Sequence, residues 1–76
     1  MEEKIKQIIL DVFNVPKESI TDDTLMKDLP TWDSLMHIEM VAEIERAFSV
    51  KFKPEEIAEI TGYKKIKDIL YLKGIQ

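Results

Sequence analysis

Three segments of this 76-residue chain carry apolar residues with the period of an α-helix, whereas the period of a β-strand is almost absent. In the first segment the apolar positions are spaced i, i+3, i+4, i+7 and i+8, which places them on one helix face: Ile5, Ile8, Ile9, Val12 and Phe13. Strand-like alternation occurs only in Val50–Phe52, which is too short to build a sheet. The pattern therefore predicts an all-α fold, a small four-helix bundle with three main helices and one short helix.

Prolines and glycines set the predicted ends of these helices. Pro16 disfavours helical backbone at the residue before it, Pro54 suits the first position of a helix, and Gly74 suits the position after the last. The second helix is predicted to begin at Asp33 or Ser34. The four predicted helices cover residues 2–14, 33–48, 54–60 and 64–73. The buried face of the second helix is predicted as Leu35, Ile38, Val41, Ile44 and Phe48, widened by Met40, Ala42 and Ala47.

Residues 15–33 form a long connection between the first two helices. A connection of this length in so small a domain is usually ordered and functional. Its spaced apolar residues predict that it is pinned to the core, with a helical turn near residues 24–29: Ile20, Leu25, Leu29 and Trp32. We therefore expect a long ordered loop between helices 1 and 2.

The composition limits the classes of protein that the chain can belong to. Its length predicts a single domain over residues 1–76, and the absence of cysteine excludes a disulfide framework. No apolar run is long enough to span a bilayer, and the first residues lack the pattern of a signal peptide. We expect a monomeric cytoplasmic protein without a membrane span.

The charge of the chain is concentrated in its middle. The net charge is −4, but residues 18–59 carry eleven acidic residues against four basic ones. An acidic surface disfavours binding to nucleic acid, which needs a basic footprint. It favours protein partners that present basic patches.

Ser34 stands where the long loop meets the second helix, in the segment Thr31-Trp32-Asp33-Ser34-Leu35. A hydroxyl there lies beside the free N–H groups and the positive dipole end of the helix, which suit a phosphate ester. A serine at this place also commonly caps a helix. Because Asp33 can supply the cap, the Ser34 hydroxyl is left over, and we predict that it carries a phosphorylated group.

Catalysis and metal binding are weaker interpretations of the same segment. Asp33, Ser34 and His37 lie within five residues, but a catalytic triad needs the imidazole between the hydroxyl and the carboxylate. On one turn of a helix the three groups are expected side by side in solvent, so His37 is predicted to be solvated or a partner contact. The acidic loop lacks the spacing and glycine of a calcium loop, and one histidine without cysteine excludes structural zinc. We therefore predict a non-enzymatic protein without a metal site.

Several of these elements occur together in a known order. They are Asp33-Ser34-Leu35 at the start of the second helix, then Ile38-Glu39 and Phe48 within it, then the turn Phe52-Lys53-Pro54-Glu55-Glu56. In this register the whole chain resembles the acyl carrier proteins, small four-helix proteins that bear a 4′-phosphopantetheine arm on a serine. The resemblance implies an acyl carrier that holds acyl groups as thioesters and presents them to partner enzymes.

The resemblance also implies a cofactor, a site and partners. Ser34 would be the attachment point, with Asp33 as the flanking motif residue, and a phosphopantetheinyl transferase would supply the arm from coenzyme A. Acyl-activating, acyl-transferring or synthase enzymes with basic patches would read the second helix, and the implied contact residues are Leu35, Met36, Glu39, Glu43 and Glu45. Met36 and Arg46 lower the acidity relative to the fatty-acid type. This departure favours a specialised discrete carrier over the housekeeping fatty-acid carrier.

Two alternatives and one further expectation remain open. The chain can instead be an aminoacyl carrier of the D-alanyl or peptidyl type, or a helical protein-interaction domain whose serine is unmodified. Helices 2 and 3 are also expected to open a small apolar pocket for the cargo, and the residues proposed for it are Ile38, Val41, Ile44, Ile57 and Ile60.

Overall fold

The helical periodicity of the sequence is realised as four α-helices in the computed structural model, which describes residues 1–75. They are α1 (Glu2–Phe13), α2 (Ser34–Phe48), α3 (Pro54–Glu59) and α4 (Tyr63–Leu72). The predicted all-α four-helix fold is confirmed, and the helix boundaries lie within one residue of those expected. None of the helices in this range is both long and apolar enough to cross a membrane.

The interior is built from the apolar stripes that the sequence displays. On α1 four of the five predicted residues, Ile5, Ile8, Ile9 and Phe13, are buried and Val12 is half-buried. On α4 the buried residues are Tyr63, Ile66, Ile69 and Leu70. Both helices bury one face because their apolar residues recur with the helical period. The remaining core comes from α2, from the long loop, and from Phe52 and Ile60 on either side of α3.

The buried face of α2 differs from the prediction. Met40, Val41 and Ile44 are buried as predicted, but His37 is buried with them, whereas Leu35 is 68% exposed and Ile38 is 52% exposed. The observed set also has the i, i+3, i+4, i+7 spacing of a helix face, so the helix is turned about its axis relative to the expected face. The α2 helix can adopt this orientation because both ring nitrogens of His37 have hydrogen-bond partners inside the protein.

The long loop is ordered, as predicted, and contains two short 3₁₀ turns at Lys17–Ser19 and Met26–Asp28. The second turn falls inside the range expected for one. Ile20 and Leu29 are buried as predicted, together with Met26, but Leu25 and Trp32 are each 38% exposed. Leu25 and Trp32 therefore pack only partly against the core.

Backbone contacts fasten the loop to the start of α4. The Met26 N–H donates to the Thr61 carbonyl at 2.9 Å, and the Tyr63 N–H donates to the Thr24 carbonyl at 3.0 Å. Between them lies Gly62, where a Cβ atom would stand only 2.6 Å from the Thr24 carbonyl oxygen. This approach of two backbones is possible because glycine has no side chain.

An ionic contact joins the same loop to α1 and α4. The Lys67 Nζ atom lies 2.6 Å from an Asp22 carboxylate oxygen and 3.5 Å from a Glu2 carboxylate oxygen. The hydrogen bond from Lys67 holds the pKa of Asp22 below its ordinary value and raises the pKa of Lys67. This contact holds the middle of the long loop against α1 and α4. The last residues of the loop lead into Ser34.

Candidate functional site

The start of α2 is capped by Asp33. This residue has extended backbone (φ −153°), and its carboxylate accepts a hydrogen bond of 2.8 Å from the Met36 N–H. Aspartate is a favoured N-cap because it satisfies a free N–H group and its charge complements the helix dipole. The predicted capping role of Asp33 is confirmed.

Ser34 is the first residue of α2, and it is exposed. Because Asp33 provides the cap, the serine hydroxyl is not needed to satisfy the helix end. The N–H groups of the first turn and the positive dipole end lie beside it. The position can accommodate a phosphodiester without burying its charge.

A groove of about 710 Å³ opens next to this hydroxyl. The long loop, α2, α3 and the segment after α3 all contribute to its lining, which consists of Leu25, Met26, Lys27, Trp32, Ser34, His37, Ile38, Pro54, Ile57, Ala58, Ile60 and Thr61. Its deepest residues are Met26, His37 and Ile60, which are 1%, 9% and 2% exposed. The groove is therefore an apolar channel with Ser34 on its lining.

The groove differs in part from the pocket expected between helices 2 and 3. Ile38, Ile57 and Ile60 line it, as expected. Val41 and Ile44 lie on the core side of α2 instead, where they are 3% and 0% exposed. These two residues belong to the predicted and to the observed buried face of α2, so they pack in the core and not on the groove.

His37 is buried, so the expectation of a solvated or partner-contacting histidine is wrong. The Trp32 Nε1–H donates to His37 Nδ1 at 3.1 Å, and His37 Nε2 lies 3.0 Å from the Ile57 carbonyl oxygen. Both ring nitrogens are thus occupied by groups other than Ser34 and Asp33. The imidazole does not stand between the hydroxyl and the carboxylate, as a catalytic triad would require.

The short helix α3, which contributes Pro54, Ile57 and Ala58 to the groove, is anchored at its first turn. The Lys53 N–H donates to a Glu56 carboxylate oxygen at 2.8 Å, and the Lys73 Nζ lies 2.9 Å from the same oxygen. These two donors hold the pKa of Glu56 below its ordinary value, with the Lys53 N–H as the larger cause. The anchor ties α3 to the end of α4.

The predicted partner residues on α2 are not equivalent. Leu35 and Glu39 are exposed, Met36 is half-buried, and Glu43 is exposed but paired with Arg46. The Glu45 carboxylate accepts a hydrogen bond of 2.8 Å from the Phe52 N–H, so its charge is used within the protein. A role for these residues in partner binding remains a prediction, best supported by exposure at Leu35 and Glu39.

Metal ligands are not gathered at the site. Within residues 1–75, no group of three or more histidine, cysteine, aspartate and glutamate side chains is arranged to hold a metal ion. The site presents an exposed hydroxyl beside a helix N-terminus and a mostly apolar groove.

Known proteins match the chain over nearly its whole length. The family model described as "Phosphopantetheine attachment site" matches residues 3–70. The chain is 29% identical over 76 residues to an acyl carrier protein of Buchnera aphidicola subsp. Acyrthosiphon pisum (strain APS), covering 100% of this chain and 95% of the relative. It is 32% identical over 69 residues to an acyl carrier protein of Onion yellows phytoplasma, covering 91% and 87%. It is also 29% identical over 72 residues to "Polyketide-8 synthase acyl carrier protein 2" of Streptomyces avermitilis, covering 93% and 82%.

These matches confirm the resemblance noted in the sequence. The chain belongs to the phosphopantetheine-attachment family, and it is an acyl carrier protein that bears a phosphopantetheine arm.

Proposed function

We propose that this carrier bears its phosphopantetheine arm on Ser34. The observation that carries the proposal is the exposed Ser34 hydroxyl at the N-terminus of α2, on the lining of an apolar groove, with Asp33 already serving as the cap. In the modification, the serine oxygen forms a new bond to the phosphorus atom of coenzyme A that is bonded to the pantetheine. The bond from that phosphorus to the adenosine bisphosphate breaks, and the hydroxyl proton is lost.

The residues of this chain prepare the position for the product. The resulting phosphodiester is an anion, and the backbone N–H groups at the start of α2 favour a negative charge there. Asp33 directs its carboxylate to the Met36 N–H and so remains engaged with the helix end. The arm supplies a thiol, which this cysteine-free chain lacks.

The groove supports an apolar acyl cargo over an aminoacyl one. Its deepest residues Met26 and Ile60 are apolar, and His37 presents no unused nitrogen to it. Lys27 is the ionised group on its lining, and it would repel the ammonium of an aminoacyl thioester. A hydrocarbon chain bound there would remove apolar surface from water at about 25 cal/mol per Å².

The proposal includes the partners and the setting of the carrier. A phosphopantetheinyl transferase loads the arm, and acyl-activating, acyl-transferring or synthase enzymes with basic patches dock on α2. The carrier itself is a cytoplasmic monomer without catalytic activity. Met36 and Arg46, which make α2 less acidic, support a specialised pathway.

The test is incubation of the purified protein with coenzyme A, magnesium and a broad-specificity phosphopantetheinyl transferase. Intact mass spectrometry should show a gain of one phosphopantetheinyl group. A protein that gains no mass under conditions that load a known carrier would support the rival function, a helical interaction domain with an unmodified serine.

Glu39 provides a separate prediction about partner recognition. Reversing its charge with Glu39→Lys should weaken binding to the transferase about three- to tenfold at low salt, because an exposed rim charge contributes mainly long-range attraction. Titration calorimetry at low and high salt measures the difference, which should shrink as salt is added. The matched control is Glu18→Lys, the same charge reversal at an exposed position of the long loop. If the affinity for the transferase changes neither with salt nor with Glu39→Lys, the acidic residues of α2 are only solvated surface residues and do not contribute to binding.

A further inference from the structure

The single tryptophan and the single histidine of the chain form a hydrogen-bonded pair beside Ser34. The Trp32 and His37 rings meet edge to face, with centroids 6.0 Å apart and an interplanar angle of 86°. The other His37 nitrogen reaches the Ile57 carbonyl on α3 at 3.0 Å. One side chain therefore connects the end of the long loop, the serine-bearing helix and the short helix.

The chemistry of the partners fixes the state of the imidazole. An indole N–H can only donate, so the Nδ1 atom that faces Trp32 must be unprotonated and accept. A carbonyl can only accept, so the Nε2 atom must carry the proton and donate to Ile57. The bridge thus requires the neutral Nε2–H form of His37.

Apart from the contact of Glu56 with Lys73 at the first turn of α3, the two elements that the bridge joins to α2 are held by little buried surface. α3 has only six residues, fewer than an isolated helix needs for stability, and none of them is fully buried. Trp32 is 38% exposed at the end of a loop. Both contribute to the groove lining, so its shape depends on where they are held.

We infer that His37 is a positioning residue for the groove beside Ser34. Its neutral imidazole ties Trp32 and α3 to α2, and it thereby fixes the distance between the loop side and the α3 side of the groove. The bridge itself is independent of any cofactor; the consequence for a bound acyl chain rests on the proposed function.

The bridge can be tested on the unmodified protein by NMR. A ¹⁵N–¹⁵N coupling across the hydrogen bond should link Trp32 Nε1 to His37 Nδ1, and the indole N–H should exchange slowly with solvent. In His37→Leu the protection of that N–H should fall about tenfold, which corresponds to the loss of one buried hydrogen bond. His37→Gln should keep most of the protection, because its amide offers one acceptor and one donor.

Val41→Ala is the matched control, since Val41 is buried on the same helix but takes no part in the bridge. It should lower stability without selectively exposing the indole N–H. A protonated Nδ1, or an indole N–H whose exchange is the same in the wild type and in His37→Leu, would overturn the inference. If His37→Leu fails to fold, the ¹⁵N–¹⁵N coupling in the wild type decides the same question, because its absence would mean that the indole N–H does not donate to His37 Nδ1.

The effect on the groove is measured on the arm-bearing protein. A decanoyl thioester should be cleaved by hydroxylamine several-fold faster in His37→Leu and Trp32→Phe than in the wild type, and His37→Gln should restore protection. Equal cleavage rates in all four proteins would show that the bridge does not set the groove. A wild type that accepts no arm would refute the proposed function, and the NMR result would still decide the bridge.

Discussion

Replacing Ser34 with alanine is expected to abolish phosphopantetheine incorporation completely. On the proposed function the arm is attached through the Ser34 oxygen, and alanine at this position offers no nucleophile at the N-terminus of α2. Intact mass after incubation with coenzyme A, magnesium and the transferase measures the result, with the wild type loaded in parallel. No other change in the chain is expected to remove the modification so fully.

The two remaining serines serve as controls. Ser19→Ala removes a hydroxyl that donates to the Pro16 carbonyl. Ser49 has a left-handed backbone with φ 54°, so Ser49→Gly is the suitable change there. Both variants should gain one phosphopantetheinyl group. Incorporation that persists in Ser34→Ala would assign the arm to another residue.

The loss of modification in Ser34→Ala should not reflect unfolding. The helix cap is supplied by Asp33, so removing the Ser34 hydroxyl should change the free energy of unfolding by less than about 0.5 kcal/mol. Asp33→Ala, in contrast, removes the cap and should cost about 1 kcal/mol. Urea unfolding of both variants separates the chemical role of Ser34 from the structural role of Asp33.

The helices were predictable because their signals are local. The spacing of Ile5, Ile9 and Phe13 defines a face within one segment, and Pro54 and Asp33 mark helix starts without reference to the rest of the chain. The proposed attachment site rests on an equally local signal, since Asp33 and Ser34 are adjacent. Exposure at Ser34 then agrees with the expected role.

The orientation of α2 was not predictable from its apolar residues alone. Leu35 and Ile38 continue an apolar stripe in the sequence, but the helix buries His37 instead. The cost of burying an imidazole falls only when both of its nitrogens find partners, and these come from Trp32 and from Ile57, 20 residues away. The sequence contained one signal for the burial of His37. Trp32, whose indole N–H can only donate, lies five residues before His37, whose ring nitrogen can accept.

The contact between the long loop and α4 is the other feature that local patterns did not contain. The role of Gly62 depends on the Thr24 carbonyl, which lies 38 positions earlier in the chain and packs directly on the glycine. Sequence spacing carries no information about which distant backbone will approach.

Gly62→Ala is accordingly expected to be among the most destabilising small substitutions in the chain. Its φ of −171° is extended backbone that alanine can adopt, so the effect is steric. A Cβ atom 2.6 Å from the Thr24 carbonyl oxygen cannot be relieved by a rotamer change, because the neighbour is backbone. Separating the two segments would weaken the flanking bonds from Met26 to Thr61 and from Tyr63 to Thr24. We expect a loss of about 2–3 kcal/mol, against a total stability of about 4–11 kcal/mol for a domain of this size.

Urea unfolding gives the magnitude, and amide hydrogen exchange shows where the loss occurs. The Met26 and Tyr63 amides should lose protection in Gly62→Ala beyond the global change, because the clash lies between the bonds that they make. Gly74→Ala is the control: it forces alanine to φ 89° but meets no atom within 4 Å, so it should cost about 1 kcal/mol and leave those amides protected. Equal costs for the two variants would mean that the loop yields to the added methyl group. The loop would then not be held firmly enough against α4 to fix the approach to Ser34.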